Sequence, residues 1–302
     1  MTSRFSVSSS CDNHAVTFHR YTYDPSGEEI SVSLTTLTDS LADPHDLDAS
    51  APPPADQSTI PYRVHLANDQ QDLEAAQRLR YRVFARECGA QLASGDSGLD
   101  RDPFDSYCDH LLVRSLESGQ VVGTYRILTF EQARRAGGFY SANEFDLRRI
   151  AALSPRMVEL GRACVDPTHR DGIVISLLWA GLFDYLSARR CEYVIGCGSV
   201  NVAGDNDVAV RVCNRLKHHR LAPADWRVFP YRPYPLDSDV TDPAATVPPL
   251  MKGYLRLGAM VCGDPAWDQH FGTADFLMLL PMAGISPRHV KGLRRRAERV
   301  RE

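Results

Sequence analysis

The spacing of hydrophobic positions changes along residues 60–284 and predicts both strands and helices. Tyr62–Ala67 alternates apolar and polar residues, as a strand with one buried face does. His110–Ser115 and Gln120–Thr129 are two further apolar stretches on either side of a Glu-Ser-Gly turn, which predicts a pair of adjacent strands. The polar stretch 89–108 before them is predicted to be a loop.

Apolar residues at helical spacing predict helices at 68–84, 172–190, 205–219 and 248–259. The first is expected to begin after an Asn68 cap, because an asparagine oxygen can accept a free N–H of the first helical turn. The second is apolar nearly all round, which indicates a buried helix. The segment 130–155 has no clear period and is predicted to be irregular or partly helical.

Three later strands complete the prediction: Met157–Val165, Glu192–Ser199 and Asp275–Pro281. Glu192–Ser199 is apolar on both faces, as in a central strand. The order of strand, buried helix and strand across 157–199 predicts a crossover between parallel neighbours. We therefore expect an α/β fold in which a mixed, twisted sheet is flanked by helices.

The regions outside 59–284 differ in composition. Residues 1–58 are acidic and rich in Ser, Thr, Asp and Pro, so we predict a largely disordered extension, with a hairpin at 15–36 and a linker at 40–59. Residues 285–302 form a basic tail. One domain of ordinary size is thus predicted at 59–284.

The formal net charge of −4 is not uniformly distributed. Residues 1–60 hold two Arg against nine Asp and Glu, whereas 285–302 hold seven Lys and Arg against two Glu. The net charge indicates no nucleic-acid partner, but the tail can meet an acidic protein or an anionic membrane surface. A solvated helix that balances the acidic extension is equally compatible with the tail.

The sequence supports neither a membrane-spanning protein nor a metal-binding protein. No apolar run approaches the roughly 20 residues of a membrane helix, and no secretory signal begins the chain. The eight cysteines form no CxxC pair, so we predict no metal site and read the apolar cysteines as buried thiols of a cytoplasmic protein.

The stretches "MVELGRACVDPTHR", "DGIVISLLWAGLFDYL" and "CEYVIGCGS" at 157–199 resemble the core of the GNAT acyltransferase superfamily. Four further stretches support the resemblance: "LRYRVFARECGA", "DRDPFDSYCDHLLV", "VVGTYRIL" and "PPLMKGYLRLGAMVCGDPAWDQHFGTADFLMLLP". The chain is most similar to a branch that includes the ornithine Nα-acyltransferases and, more distantly, the acyl-homoserine-lactone synthases.

This resemblance implies an enzyme that moves a (3-hydroxy)acyl chain from acyl carrier protein to the α-amine of ornithine, the first step of ornithine-lipid synthesis. It implies no permanently bound cofactor, because the phosphopantetheine thioester of acyl carrier protein is a co-substrate. The implied location is the cytoplasm, with peripheral contact at the inner membrane. Two alternatives remain: another amino acid or amine acylated from acyl-ACP or acyl-CoA, and a non-catalytic GNAT-like binding module.

Glu159, Gly161 and Arg162 form the strongest candidate group for catalysis. Glu159 and Arg162 would face opposite sides of a regular strand, but a bulge at Gly161 would bring both into one cleft. Glu159 is then a candidate general base, Arg162 a carboxylate ligand, and a backbone N–H freed by the bulge an oxyanion donor. A structural ion pair at a sheet edge is the alternative.

Four acceptor-site residues are implied by the resemblance to the lactone synthases: Arg82, Asp105, Asp109 and Arg126. Arg82 can pair with a carboxylate, either that of Asp105 or that of the substrate, and the two aspartates supply negative charge for a cationic amino acid. Either aspartate alone is equally typical of a loop or cap residue. The tryptophan that those synthases carry is absent at Cys88-Gly89-Ala90, which disfavours S-adenosylmethionine as acceptor.

The phosphate of phosphopantetheine is expected at Arg170, Asp171, Gly172 and Ile173, where a buried helix begins and presents free N–H groups. Bulky residues after Gly172 replace the small ones of the usual GNAT loop. This departure favours a carrier-protein donor over CoA. Asp171 as a simple helix cap is compatible with this role.

Tyr254 and Asp275 complete the candidates. Tyr254 lies in a predicted helix and, by the resemblance, can protonate the leaving thiolate; a packed amphipathic tyrosine is the alternative. Asp275 begins the last predicted strand, where its carboxylate can orient a substrate amine or simply belong to a turn.

Overall fold

The computed structural model divides the chain into two compact units, Met1–Gln57 and Ser58–Glu302. In the first unit it describes only the backbone of three strands. In the second it describes residues 62–203, 205, 207–236, 245–286, 288, 290–292 and 295.

The first unit contains an antiparallel sheet in the order β1-β2-β3. Its strands are β1 (Arg4–Ser9), β2 (Val16–Tyr23) and β3 (Glu29–Thr36). β2 and β3 occupy the stretch for which the sequence predicted a hairpin. The linker predicted at 40–59 lies outside the described residues, and the domain boundaries at 58 and 284 stay predictions.

The second unit contains ten strands and five α-helices among its described residues. In chain order they are β4 (Tyr62–Leu66), α1 (Gln70–Tyr81), β5 (Asp109–Ser115), β6 (Val121–Thr129), α2 (Phe130–Ala136), β7 (Phe145–Asp146), β8 (Met157–Val165), α3 (Ile173–Ala188), β9 (Tyr193–Asn201), α4 (Asp207–Arg220), β10 (Phe229–Pro230), α5 (Pro249–Arg256), β11 (Met260–Val261), β12 (Ala266–Asp268) and β13 (Thr273–Pro281).

Eight of these strands form one mixed sheet in the order β11-β13-β9-β8-β6-β5-β4, with β12 paired to β13. β7 and β10 pair separately. Helices cover both faces: Leu111 and Val113 of β5 pack in the cluster that contains α3, and Leu112 between them packs in the cluster that contains α1. Alternation along a strand places these residues on opposite faces. The predicted mixed sheet flanked by helices is confirmed.

The α1 helix begins one residue later than predicted. Asp69, not Asn68, is its cap, and the Asp69 carboxylate accepts the backbone N–H of Asp72 at 2.8 Å. A π-helical turn, Arg82–Glu87, follows α1 directly. No described helix has both the length and the apolar composition required to cross a membrane.

The parallel pair β8 and β9, joined by α3, is the feature that creates space for a site. Only three residues of each strand are paired, beginning at Met157 with Tyr193 and ending at Glu159 with Ile195. The strands diverge beyond this point. At the divergence, a Cβ on Gly196 would lie 2.4 Å from the Leu160 carbonyl oxygen, so only glycine allows this close approach.

Candidate active site

A cleft of about 300 Å³ opens where β8 and β9 diverge. One wall is Leu160–Ala163 of β8, and another is formed by β9 residues from Cys197 to Asn201. Asp275 of β13 and Tyr254 of α5 also line it, together with Glu159. Strands from the middle of the sheet therefore surround the cavity, which places its polar side chains in a largely buried setting.

A β-bulge in β8 brings Glu159 and Arg162 to the same cleft, as predicted, but it lies one residue later than predicted. Gly161 pairs regularly with Arg126, whereas Arg162 and Ala163 together oppose the single residue Tyr125. Arg162 has the left-handed backbone conformation of the bulge, with φ of 49°. Gly161 has open space beyond its Cα, so its missing side chain widens the cleft.

Arg80 of α1 is fully buried and is held by two carboxylates. Its guanidinium lies 2.8 Å from an oxygen of Asp100 and 2.6 Å from one of Asp105. Gln77, one turn earlier, donates to Asp105 at 2.9 Å. Burial would raise the pKa of Asp105, but the hydrogen bonds and charge of Arg80 lower it to about 2, so this carboxylate is ionised at neutral pH.

Two further arginines join the same network from the sheet. Arg126 of β6 lies 3.1 Å from Asp102 and 3.4 Å from Asp105. Arg162 lies 2.7 Å from Asp102 and 3.4 Å from Asp100. Three arginines and three aspartates therefore balance one another, and Arg126 and Arg162 also line the cleft.

Glu159 is 4% exposed and is held by backbone donors. The N–H groups of Tyr140 and Ser141, in the short 3₁₀ helix Tyr140–Asn143, donate to its two oxygens at 2.5 and 2.9 Å. Burial raises its pKa, although these hydrogen bonds oppose the shift. A carboxylate with a raised pKa and a fixed orientation is suited to accept a proton.

Asp275, Glu144 and Cys197 form an acidic group beside the cleft. Thr273 donates to Asp275 at 2.8 Å, and the thiol of Cys197 lies 3.7 Å from an oxygen of Glu144. Burial raises the pKa of both Glu144 and Asp275. Neighbouring negative charges add to the shift of Glu144. Hydrogen bonds from Thr273 and Ser199 oppose the shift of Asp275. One potential ligand atom from each of these three residues lies within 4.8 Å of the others. The absence of a metal site stays a prediction.

An apolar cavity of about 50 Å³ lies behind the cleft, between α3, α5 and the sheet. It shares Leu160, Cys197 and Tyr254 with the cleft. The Tyr254 hydroxyl is hydrogen-bonded to the Tyr125 hydroxyl. The Tyr254 ring stacks on the Trp179 ring at a centroid distance of 5.9 Å. Burial raises the pKa of Tyr254 well above its ordinary value, so this hydroxyl remains protonated.

The predicted phosphate loop at the start of α3 is outside the cleft lining. Gly172 precedes the helix with φ of 91°, and Asp171 accepts the N–H of Ile173 at 2.9 Å. The Arg170 guanidinium lies 2.5 and 2.7 Å from the two carboxylate oxygens of Glu87. Gly172, not Asp171, is therefore the cap residue of α3, and Asp171 lies one residue before it with its carboxylate on a single N–H of the first turn. Arg170 is engaged by an ion pair.

Of the acceptor-site residues implied by the resemblance, Arg126 lines the cleft and Asp105 supports it from behind. Arg82 and Asp109 do not line it. Arg82 is 45% exposed and pairs with Asp166 at 3.0 Å. Asp109 accepts from the Tyr185 hydroxyl at 2.5 Å.

Sequence interpretation missed Arg80, which makes the pairing with Asp105 that was predicted for Arg82. Arg80 falls on the stripe of Ala76 and Val83, four residues after one and three before the other. That spacing identifies the buried face of a helix and was the available signal. Asp100, Asp102 and Glu144 were also missed, and as polar residues in loops they carried no periodic signal.

The chain is similar in sequence to a known domain family and to several characterised enzymes. Residues 79–180 match a family model described as acetyltransferase (GNAT) domain. A Brucella abortus L-ornithine Nα-acyltransferase is 39% identical over 244 residues, which cover 75% of this chain and 86% of the relative. One from Rhodobacter capsulatus is 35% identical over 254 residues, 79% of this chain and 97% of the relative.

Among solved structures, a CoA-dependent acyl-homoserine lactone synthase with SAM and isopentyl-CoA is 15% identical, with a TM-score of 0.49. The match covers 78% of this chain and 90% of that one.

We predict that Arg80→Met lowers the free energy of unfolding by about 3–5 kcal/mol, because it removes the closest cation of two buried carboxylates and leaves the network with one negative charge in excess. Arg82→Met is the matched control, two residues away on the surface, and should cost at most about 1 kcal/mol. Denaturant unfolding of both variants measures the difference. Equal losses in the two variants would show that the buried network adds no stability.

We predict that Glu144→Gln becomes more stable relative to the wild type as pH rises from about 5 to 8. The raised pKa means that folded Glu144 keeps a proton that the unfolded chain releases above its ordinary pKa of 4.5. Rising pH therefore destabilises the wild type but not the glutamine variant. Thermal unfolding at several pH values checks this, with the exposed Glu131→Gln as control. A pH-independent difference in Tm contradicts the prediction.

Proposed function

The chain belongs to the L-ornithine Nα-acyltransferase family, and from this premise we propose that it transfers a (3-hydroxy)acyl chain from acyl carrier protein to the α-amine of ornithine, the first step of ornithine-lipid synthesis. The observation that carries the proposal is the cleft itself. It has arginines on one wall, acids on another and an apolar cavity behind.

The two charged walls suit a zwitterionic acceptor with an additional amine. Arg126 and Arg162 present positive charge to an α-carboxylate, although each also contacts an aspartate of the network. Asp275 presents an oxygen to an amine from the other side of the cleft, with Glu144 behind it. A diamino acid therefore finds complementary charge at both of its ends.

The reaction forms a C–N bond and breaks a C–S bond. The neutral α-amine attacks the thioester carbonyl carbon, and negative charge develops on the carbonyl oxygen. A backbone N–H at the bulge that includes Arg162 stabilises that oxyanion. Glu159 takes the proton from the attacking nitrogen, directly or through water. The C–S bond then breaks, and the leaving thiolate takes the proton of the Tyr254 hydroxyl to become the thiol. Glu159 releases the amine proton to solvent, and Tyr254 regains one from solvent.

The donor fits the same geometry. The acyl chain is directed towards the apolar cavity behind Tyr254, whose volume of about 50 Å³ accommodates the part of the chain next to the thioester. The phosphopantetheine arm leads out between the diverging strands towards the start of α3. A second phosphate would need space and a free cation at the start of α3. Ile173 is bulky there, and Arg170 is already paired with Glu87. This supports acyl carrier protein, which offers one phosphate, over CoA.

The basic residues at 285–302 are proposed to meet the acidic carrier protein in the cytoplasm and to give peripheral contact at the inner membrane. Most of this segment lies outside the described residues.

Purified protein incubated with 3-hydroxyacyl carrier protein and a panel of amino acids, read by mass spectrometry, tests the function. We expect Nα-acylornithine as the main product and slower acylation of amino acids without a second amine. Preferred acylation of another amino acid would replace ornithine as acceptor, and equal rates with acyl-CoA would overturn the donor. A complete lack of acylation would favour the binding-module alternative.

We predict that Glu159→Gln lowers turnover by at least about 100-fold, as loss of a general base does. The variant should still fold but lose about 1–3 kcal/mol, because a glutamine cannot accept both backbone N–H groups. Steady-state kinetics and thermal unfolding measure the two effects, with the surface variant Glu192→Gln as control. Turnover like that of the wild type would remove Glu159 from the mechanism.

A further inference from the structure

The boundary between the cleft and the apolar cavity carries a small group of polar atoms in otherwise apolar surroundings. Tyr254 belongs to the lining of both spaces, and Trp179 lines the cavity. Tyr125 lines the cleft and is fully buried. An acyl chain that passes from the thioester into the cavity must pass this group with its first carbon atoms.

The positions of the three rings are set by packing. Tyr254 and Trp179 stack with an interplanar angle of 15°. A Cβ on Gly253, the residue before Tyr254, would lie 2.2 Å from the Trp179 ring, so glycine is required for the indole to lie against α5. The hydroxyls of Tyr125 and Tyr254 are hydrogen-bonded to each other. The indole is therefore held in one orientation beside the two hydroxyls.

The indole N–H of Trp179 is the unsatisfied member of this group. Burial raises the pKa of Tyr125, and a polar contact from the Trp179 side chain lowers it in part, so the indole N–H lies beside the Tyr125 hydroxyl. It nevertheless has no hydrogen bond of ordinary geometry to any described residue, and its nitrogen is buried from solvent. A buried donor without a partner costs about 1–3 kcal/mol, so its retention in a binding cavity calls for a ligand atom that accepts from it.

The chemistry of an acyl chain limits what that atom can be. Methylene groups accept no hydrogen bond, so an unsubstituted chain would bury the N–H without a partner. A hydroxyl on the chain can accept from the indole N–H and donate to a tyrosine oxygen at the same time. The remaining cavity lining is almost entirely apolar, which suits the methylene groups next to the hydroxyl.

We propose that Trp179, oriented by Gly253 and supported by the Tyr125 hydroxyl, is the residue that recognises a hydroxyl group on the acyl chain close to the thioester. The inference rests on the proposed function, since it assigns the acyl chain to the cavity behind Tyr254. Beyond that function, it identifies Trp179 as the residue that distinguishes a hydroxylated acyl donor from an unsubstituted donor of equal length.

The test compares 3-hydroxymyristoyl and myristoyl carrier protein as donors with ornithine as acceptor. Trp179→Phe retains a stacking ring but removes the N–H. We expect the ratio of kcat/KM for the hydroxylated over the unsubstituted donor to fall about 10-fold, equivalent to about 1.4 kcal/mol. Trp226→Phe, a tryptophan outside the cavity lining, is the matched control and should keep the ratio of the wild type.

An unchanged ratio in Trp179→Phe overturns the inference, and so does a wild type that uses both donors equally. If Trp179→Phe does not fold, the wild type with 3-oxomyristoyl carrier protein gives a separate test. A keto oxygen accepts from the indole but cannot donate, so its kcat/KM should lie between those of the other two donors. A 3-oxo donor no better than the unsubstituted one also overturns the inference. Failure of the proposed function looks different, because then ornithine is acylated from none of the donors.

Discussion

The balanced network of three buried arginines and three aspartates is the interaction on which the site depends. It joins α1 through Arg80, β6 through Arg126 and β8 through Arg162. Each ion would be costly to bury alone, and the cost is offset only because every charge has a partner of opposite sign. Removing one member leaves a buried charge unpaired, so the network holds its elements in a single arrangement. The left-handed Arg162, which creates the bulge, is held by two of its aspartates.

The bulge and the divergence of β8 from β9 together convert the middle of a sheet into a cleft. The aspartates of the network lie behind Arg126 and Arg162, so the wall of the cleft on this side presents positive charge. Asp275 lies on β13, on the far side of β9, and presents an acid. The separation of charge across the cleft thus follows from strand order. The apolar cavity follows from the same divergence, because α3 and α5 cover the space between strands that no longer pair.

Much of the fold could be predicted because its elements have strong local patterns, such as the alternation in β4 and the nearly continuous apolar run of α3. The site was less accessible. Glu159 and Arg162 were found because a glycine between two charged residues suggests a bulge. The resemblance points to Arg82, whereas the buried face of α1 carries Arg80 and leaves Arg82 at the surface. Glu144 lies in a loop after a 3₁₀ helix, where no periodicity relates a residue to its distant neighbours.

The sequence by itself determined the order and type of most elements, the crossover at 157–199 and the family, because these depend on local patterns and on motifs in sequence order. Only the tertiary structure decided which charges pair, since Arg80 and Asp105 are separated by a loop whose path no local pattern specifies. It also decided that the left-handed residue is Arg162 and not Gly161. Ion pairing to Asp100 and Asp102, rather than backbone preference, accounts for that choice, and such long-range contacts exist only in the folded chain.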